Sequence, residues 1–197
     1  MPLQLQALNQ SAFLFLNSFA DNMLIRNIAI VFSDAPIFFL PIFLVSWWLF
    51  YTRKNNIHKK ESLLYIFYST IVAVIFNMII QAIIFVERPE TFLWAKTHFA
   101  LSHIPDASFP SDHATVWWAF LVGLYLFWFR KIAFYFMPFF LLMALSRVVA
   151  GVHWPLDMVG WIIVGTFAAL SIFYFRKSKI LLGLNSLVLQ YMSRIKL

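Results

Sequence analysis

Long apolar stretches separated by short polar breaks dominate the pattern of this chain. Five of them qualify as candidate membrane spans, at about 28–50, 63–86, 114–129, 132–149 and 156–175. A helix needs roughly 20 apolar residues to cross the hydrocarbon core of a bilayer. Only Arg130 and Lys131 join the third stretch to the fourth, which predicts a tight helical hairpin. The pattern therefore predicts an all-α, polytopic membrane helical bundle with five transmembrane helices.

The N-terminal stretch differs from these spans because polar side chains interrupt it. The polar residues that break it are Gln4, Gln6, Asn9, Gln10, Ser11 and Asn17. This mixture favours a helix that lies in the membrane interface, and a sixth, weakly hydrophobic span is the alternative. The chain has no internal repeat, low-complexity tract or linker. We therefore expect residues 1–197 to form a single membrane-embedded domain.

Composition and charge support a membrane protein and predict its orientation. Hydrophobic residues make up 62% of the chain and charged residues only 12%. Eleven of the 15 Lys and Arg residues follow the first, third or fifth span, and such basic loops are retained in the cytoplasm. The N-terminus, the loop at about 87–113 and the turn at about 150–155 should then face outside. The net charge of +7 is explained by this topology, and no pattern for binding nucleic acid accompanies it.

Polar residues are placed regularly along the second predicted span. Thr70, Asn77, Gln81 and Arg88 are seven, four and seven residues apart, which puts them on one face of a helix. Polar side chains within a span usually face the bundle interior, so the pattern predicts a polar seam leading to Arg88. Interhelical hydrogen bonds explain Thr70 and Asn77 equally well. Asp34, in the first span, is interpreted as a partner of an arginine, a proton carrier or a helix-pairing residue, outside the predicted site.

A serine and an arginine lie in the last turn of the fourth predicted span, and a histidine and an aspartate follow it. Ser146 and Arg147 are adjacent, and His153 and Asp157 follow. The last two are four residues apart, which on a helix brings them to one face. A carboxylate bonded to one ring nitrogen fixes the tautomer and leaves the other nitrogen free to attack. The guanidinium of Arg147 would neutralise phosphate oxygens.

A second motif stands directly before the third predicted span. Ser111, Asp112 and His113 follow Pro110, at a predicted helix N-terminus, where free N–H groups favour an anion. Ser111 could equally cap the helix. His113 shares the predicted outer face with His153 and could protonate a leaving oxygen.

A metal site is the competing interpretation of the same residues. His113, His153 and Asp157 could ligate a cation, but Arg88 and Arg147 aimed at the same place would repel it. We therefore expect a phosphate site with no metal and no other cofactor. With no cysteine in the chain, disulfides, thiolate ligands and cysteine nucleophiles are excluded.

The motifs resemble those of the type-2 phosphatidate phosphatase superfamily. That pattern reads Lys, six residues, Arg-Pro; then Pro-Ser-Gly-His; then Ser-Arg, five residues, His, three residues, Asp. The stretch from Ser146 to Asp157 matches the third motif in full. Asp112 replaces the usual glycine of the second, and Gln81 stands where the first has lysine. With residues 107–113, these features are similar to bacterial undecaprenyl-diphosphate phosphatases of the bacitracin-resistance type.

This resemblance implies a membrane hydrolase and a role for each motif residue. The enzyme would remove the terminal phosphate of undecaprenyl diphosphate, a polyprenyl lipid, at the outer face of a bacterial plasma membrane, through a phosphohistidine. The resemblance makes His153 the nucleophile, Asp157 its orienting carboxylate and His113 the acid. The implied phosphate-binding residues are Arg88, Ser111, Asp112, Ser146, Arg147 and Gln81.

Two alternatives stay open at this point. The first is a related phosphatase acting on phosphatidylglycerophosphate, phosphatidate or a lipid A phosphate. The second is a lipid-diphosphate carrier or binding protein that does not hydrolyse its ligand. Phosphate release from candidate lipids separates all three.

Overall fold

The computed structural model describes residues 3–93 and 107–195, and in these ranges every regular element is a helix. Residues 94–106 of the predicted outer loop, and Lys196 of the basic C-terminal tail, lie outside this description. The elements, in chain order, are α1 (Leu3–Asn17), a 3-10 turn (Ser18–Asp21), α2 (Met23–Arg53), α3 (Ile57–Ile83), α4 (Pro89–Phe92), α5 (Asp112–Leu126), α6 (Arg130–Val149), α7 (Asp157–Phe175) and α8 (Lys179–Arg194). The all-α prediction is confirmed.

Four of the described helices, α2, α3, α6 and α7, are long and apolar enough to cross a membrane. The third predicted span corresponds to α5, which has 15 residues. At 1.5 Å per residue such a helix is about 22 Å long, less than the roughly 30 Å of a hydrocarbon core. Its side chains Trp117, Phe120 and Leu124 are buried. The helix α5 therefore forms the centre of the bundle, where the other helices pack around it.

Small residues let α5 and α7 approach each other closely. A Cβ atom at Gly165 of α7 would lie 2.8 Å from the carbonyl oxygen of Thr115, too close for any side chain. One at Gly160 would overlap the ring of Phe109, which precedes the turn into α5. Glycine at these two positions therefore brings the second sequence motif against the third.

The two ends of the bundle differ in chemistry. At one end, α3 and α6 finish and α5 and α7 begin, and the three motifs lie there. At the other end, Lys59 reaches the Trp128 carbonyl oxygen, and the Tyr65 hydroxyl donates to the Arg176 carbonyl. These contacts bring the three basic loops of the sequence together, away from the motifs.

The first and last helices flank this bundle. The residues Asn9, Phe13 and Asn17 of α1 are buried and lie four apart, on one helix face. The predicted N-terminal helix is thus present, with two of its amides facing the protein. The helix α8 was not predicted from the sequence. The Ser178 hydroxyl caps this helix by accepting from the backbone N–H of Leu181.

Candidate active site

His153 lies in the turn between α6 and α7, outside either helix. The chain leaves α6 after Val149 and passes through Gly151, whose φ of 90° favours glycine. Asp157 is the first residue of α7, so the expectation that His153 shares its helix is wrong. The two side chains meet nevertheless, with Nδ1 of His153 3.2 Å from Oδ2 of Asp157. A turn brings them together, because the backbone N–H of Trp154 donates to the same Oδ2 at 2.9 Å.

Ser108 completes the surroundings of this pair. Its hydroxyl donates to Oδ2 of Asp157 at 2.5 Å and lies 3.3 Å from Nδ1 of His153. All three side chains are buried. An ionised carboxylate only accepts hydrogen bonds, which favours the tautomer of His153 with the ring proton on Nδ1 and the lone pair on Nε2. Ser108 was not predicted from the sequence, because its spacing from the motif residues does not distinguish it from other serines.

Two buried guanidinium groups converge on that lone pair. Nη2 of Arg147 lies 3.0 Å from Nε2 of His153, and Nη1 of Arg88 lies 3.3 Å from it. Arg88 is anchored by donating to the Val152 carbonyl at 2.9 Å. It stands at the N-cap of α4, beyond the end of α3 at Ile83. The predicted helical stripe therefore stops short of Arg88, which reaches the site from an extended segment.

Ser111 adds a hydroxyl to this position. It is the N-cap residue of α5, but its side chain makes no capping hydrogen bond. Its Oγ is buried without a partner in the described part of the chain, and it lines a small cavity with Arg147, His153 and Asp157. Capping therefore does not explain this serine. The hydroxyl is available to an anion bound between the two arginines.

The predicted polar seam on α3 ends on the second motif. The amide groups of Asn77 and Gln81 donate to Oδ1 of Asp112 at 2.8 and 3.2 Å. Gln81 also donates to the Pro110 carbonyl at 3.1 Å. Thr70 does not join them, since its hydroxyl donates to a carbonyl of its own helix. Gln81 and Asp112 thus hold the turn before α5, and their predicted phosphate contacts stay predictions.

His113 and Asp34 lie beside the same arginine. Oδ1 of Asp34 accepts from Nη1 of Arg147 at 2.8 Å and lies 3.7 Å from Nε2 of His113. Of the interpretations of Asp34, the arginine partner is the one observed. Ser146 is buried on α6 directly before Arg147, and its predicted phosphate contact is untested.

This arrangement suits a phosphorylated ligand. Guanidinium groups bind phosphate oxygens through paired, charge-assisted hydrogen bonds, and here two of them flank an unprotonated imidazole nitrogen. Within residues 3–93 and 107–195, no three His, Asp or Glu side chains are grouped to hold a metal ion. Whether the chemistry is metal-free stays a prediction.

Two Bacillus proteins resemble this chain over most of its length, and a protein of Escherichia coli resembles it over a shorter segment. Undecaprenyl-diphosphatase BcrC of Bacillus subtilis (strain 168) is 30% identical over 86% of this chain and 83% of its own. The bacitracin transport permease protein BcrC of Bacillus licheniformis is 29% identical over 85% and 80%. The putative undecaprenyl-diphosphatase YbjG of Escherichia coli (strain K12) is 44% identical over 72 residues, 36% of each chain.

One solved structure shares the fold. The crystal structure of Aquifex aeolicus LpxE aligns with a TM-score of 0.63 at 20% identity, covering 84% of this chain and 94% of that chain. The family model described as the PAP2 superfamily matches residues 62–180, more than half of the chain, and includes all three motifs. The chain therefore belongs to the PAP2 superfamily, as a membrane lipid phosphatase.

Proposed function

We propose that this protein is an undecaprenyl-diphosphate phosphatase. It converts undecaprenyl diphosphate to undecaprenyl phosphate and inorganic phosphate, which returns a lipid carrier to cell-wall synthesis. The observation that supports the chemistry is His153, whose Nδ1 faces a carboxylate while Nε2 faces two guanidinium groups. The substrate class is supported by the similarity to undecaprenyl-diphosphatase BcrC over 86% of this chain.

In the first step, Nε2 of His153 attacks the terminal phosphorus. The Nε2–P bond forms as the bond from phosphorus to the bridging oxygen breaks. Arg88 and Arg147 then donate to the non-bridging oxygens, where negative charge must be balanced, and the free hydroxyl of Ser111 donates to a third. Asp157 stabilises the positive charge that develops on the imidazole ring, because its Oδ2 faces Nδ1.

His113 acts as the acid in the first step and as the base in the second. His113 gives a proton to the bridging oxygen, which leaves as undecaprenyl phosphate. His113 then accepts a proton from water as the water oxygen attacks phosphorus and the Nε2–P bond breaks. Inorganic phosphate is released and His153 recovers its lone pair. Such acid–base transfer typically contributes about 10²–10⁴ in rate.

The lipid chain of the substrate lies in an apolar groove between α2, α5 and α6. The groove has a volume of about 340 Å³ and is lined by Val31, Phe32, Ala35, Pro36, Phe39, Trp117, Phe136 and Phe139. Ala35 follows Asp34 in the sequence, and Trp117 is one helical turn beyond His113. The groove therefore begins beside the position of the diphosphate, and an isoprenoid chain matches its apolar lining.

The site faces the periplasm or the cell exterior. The basic loops meet at the opposite end of the bundle, and basic loops are retained in the cytoplasm. A diphosphate presented in the outer leaflet would reach Arg88 and His153 without crossing the membrane. This orientation suits the recycling of a carrier that has delivered its cargo outside.

Phosphate release from undecaprenyl diphosphate tests the proposal directly. We expect the purified protein to release phosphate, and His153→Ala to lower the rate by about a thousandfold or more, as losses of nucleophiles do. His58→Ala is the matched control, because that side chain is 91% exposed at the basic end of the bundle. Continued release by His153→Ala would remove this histidine from the nucleophile role.

The same assay separates the other functions. Phosphatidate and phosphatidylglycerophosphate are tested beside undecaprenyl diphosphate in the same detergent. Equal or faster turnover of either glycerolipid would overturn the assigned substrate while leaving a phosphatase. Tight binding of undecaprenyl diphosphate without release of phosphate from any lipid would instead favour a carrier.

A further inference from the structure

We propose that Asp34 is a positioning residue of this phosphatase, which fixes Arg147 and His113 relative to each other. Its carboxylate reaches the site from α2, an element outside residues 62–180, which the PAP2 superfamily model matches. The inference deepens the proposed function and rests on it for the role of His113 as the acid. It does not depend on which lipid phosphate is the substrate.

Asp34 binds only one of the two terminal nitrogens of the Arg147 guanidinium. Nη1 donates to Oδ1 of Asp34 at 2.8 Å and to the Ser33 carbonyl at 3.0 Å. Nη2 is then left to face Nε2 of His153 at 3.0 Å. A guanidinium is planar and rigid, so fixing one nitrogen on α2 determines where the other points. Asp34 therefore orients the half of Arg147 that meets the phosphate.

The same carboxylate oxygen of Asp34 also faces His113, the proposed acid. Oδ1 of Asp34 lies 3.7 Å from Nε2 of His113, the separation of an ion pair rather than a short hydrogen bond. A nearby carboxylate stabilises an imidazole in its protonated form, which a general acid needs before it can donate. One oxygen atom thus links the phosphate-binding arginine to the proton donor.

Asp34 is an acidic residue within the apolar helix α2. This helix is apolar enough to span a membrane, and acidic residues in such helices are rare and mark function. Pro36 follows two residues later, and a proline distorts the preceding helical turn. That turn contains Ser33, whose carbonyl also accepts from Arg147. The local sequence therefore presents both a carboxylate and a carbonyl to the arginine.

A double-mutant cycle between Asp34 and His113 tests this proposal. We expect Asp34→Asn to lower kcat by about 10-fold to 100-fold in the wild-type background. In a His113→Gln background the same change should lower kcat by less than about threefold, because the acid it serves is gone. KM should rise in both backgrounds, since Arg147 loses its anchor in each. A merely structural role would not make the kcat effect depend on His113.

Two further variants serve as controls for the double-mutant cycle. Asp21→Asn removes an exposed carboxylate from the 3-10 turn, and its activity should be unchanged. If Asp34→Asn does not fold, Asp34→Glu replaces it in the cycle, because one added methylene displaces the carboxylate but keeps its charge. Equal kcat losses in both backgrounds, or no loss at all, would overturn the proposal. If the wild type hydrolyses phosphatidate but not undecaprenyl diphosphate, the cycle is run on phosphatidate, so that a wrong substrate and a wrong role for Asp34 give different results.

Discussion

One oxygen atom of Asp157 organises the surroundings of His153, the proposed nucleophile. Its Oδ2 accepts from the Ser108 hydroxyl at 2.5 Å and the Trp154 backbone N–H at 2.9 Å, and faces Nδ1 of His153 at 3.2 Å. The first two donors hold the carboxylate still, so it can hold the imidazole ring. A nucleophile needs this orientation, because displacements of about 1 Å can cost 10²-fold in rate.

Replacement of Ser108 tests this support at the residue scale. We expect Ser108→Ala to lower kcat about tenfold, since hydrogen bonds to charged groups contribute about 1.5–3 kcal/mol and tenfold is about 1.4 kcal/mol. KM should change little, because Ser108 faces Asp157 rather than the phosphate. Steady-state kinetics on undecaprenyl diphosphate measures both constants.

Ser193→Ala serves as the control for Ser108. That hydroxyl is exposed on α8 and donates only to a local carbonyl in the described structure, so its loss should leave both constants unchanged. A Ser108→Ala enzyme with wild-type kcat would show that the Trp154 N–H alone holds Asp157.

Sequence spacing predicted part of this site and missed the rest for a physical reason. The motif indicated that His153 and Asp157 act together, and the structure places their side chains in contact. Ser108 could not be found in this way, and Asp34 was expected to lie outside the site, because their partners are 49 and 113 residues away. Contacts of that range depend on how helices pack, which spacing within one segment does not show.

At the scale of the elements, α1 holds the loop that carries His153 by both its ends. The Asn17 amide donates to the carbonyl of Val149, the last residue of α6. The Asn9 side chain accepts from the backbone N–H of Leu156, just before α7. Between these two bonds, Phe13 packs on Trp154 with ring centroids 5.2 Å apart. The helix α1 is thus a clamp on residues 150–156.

Removing both amides should loosen this clamp. We expect the double variant Asn9→Ala, Asn17→Ala to lose about 2–6 kcal/mol of stability, since each buried group left unsatisfied costs about 1–3 kcal/mol. Because the loop carries His153, kcat should fall as well. Thermal unfolding in detergent and phosphate release measure the two effects.

Asn27→Ala is the matched control for the clamp. Asn27 is exposed on α2, so its replacement should alter neither stability nor activity. If the double variant unfolds like the wild type and keeps full activity, α1 does not constrain the loop.

Helices were predicted correctly where a long apolar run defines them. The sequence was less informative where packing against other helices determines the element. The positions of α2, α3, α6 and α7 follow from long apolar runs. The polar pattern of α1 favoured a helix in the membrane interface, which stays a prediction, and it did not indicate that Asn9 and Asn17 bind backbone groups of the loop. The helix α8 was missed because its polar residues, such as Asn185, obscure the apolar side chains that pack on the bundle.

At the scale of the whole molecule, the bundle has a catalytic end and a basic end. The motifs lie where α3 and α6 finish, and the basic loops lie where α2, α5 and α7 finish. In the proposed orientation, the basic loops stay in the cytoplasm and the end that carries the motifs faces outside. The absence of cysteine from the sequence makes the orientation simple to measure.

Single cysteines at the two ends should label differently in cells. We expect Ser18→Cys, in the turn between α1 and α2, to react with a membrane-impermeant maleimide in intact cells. His58→Cys, beside the basic loop, should react only after the membrane is opened. The unmodified chain is the blank, because it has no thiol. Labelling of His58→Cys alone in intact cells would place the catalytic end in the cytoplasm.

The proposed binding of the lipid chain in the groove between α2, α5 and α6 has a consequence for how substrate concentration is measured. Val31 and Phe139 on its walls are more than half exposed, on the flank of the bundle that faces lipid. A substrate that enters there arrives by diffusion within the plane of the bilayer. The quantity that sets its encounter rate is then its mole fraction among the surrounding lipids, so inert lipid acts as a diluent even when the total amount per volume is constant.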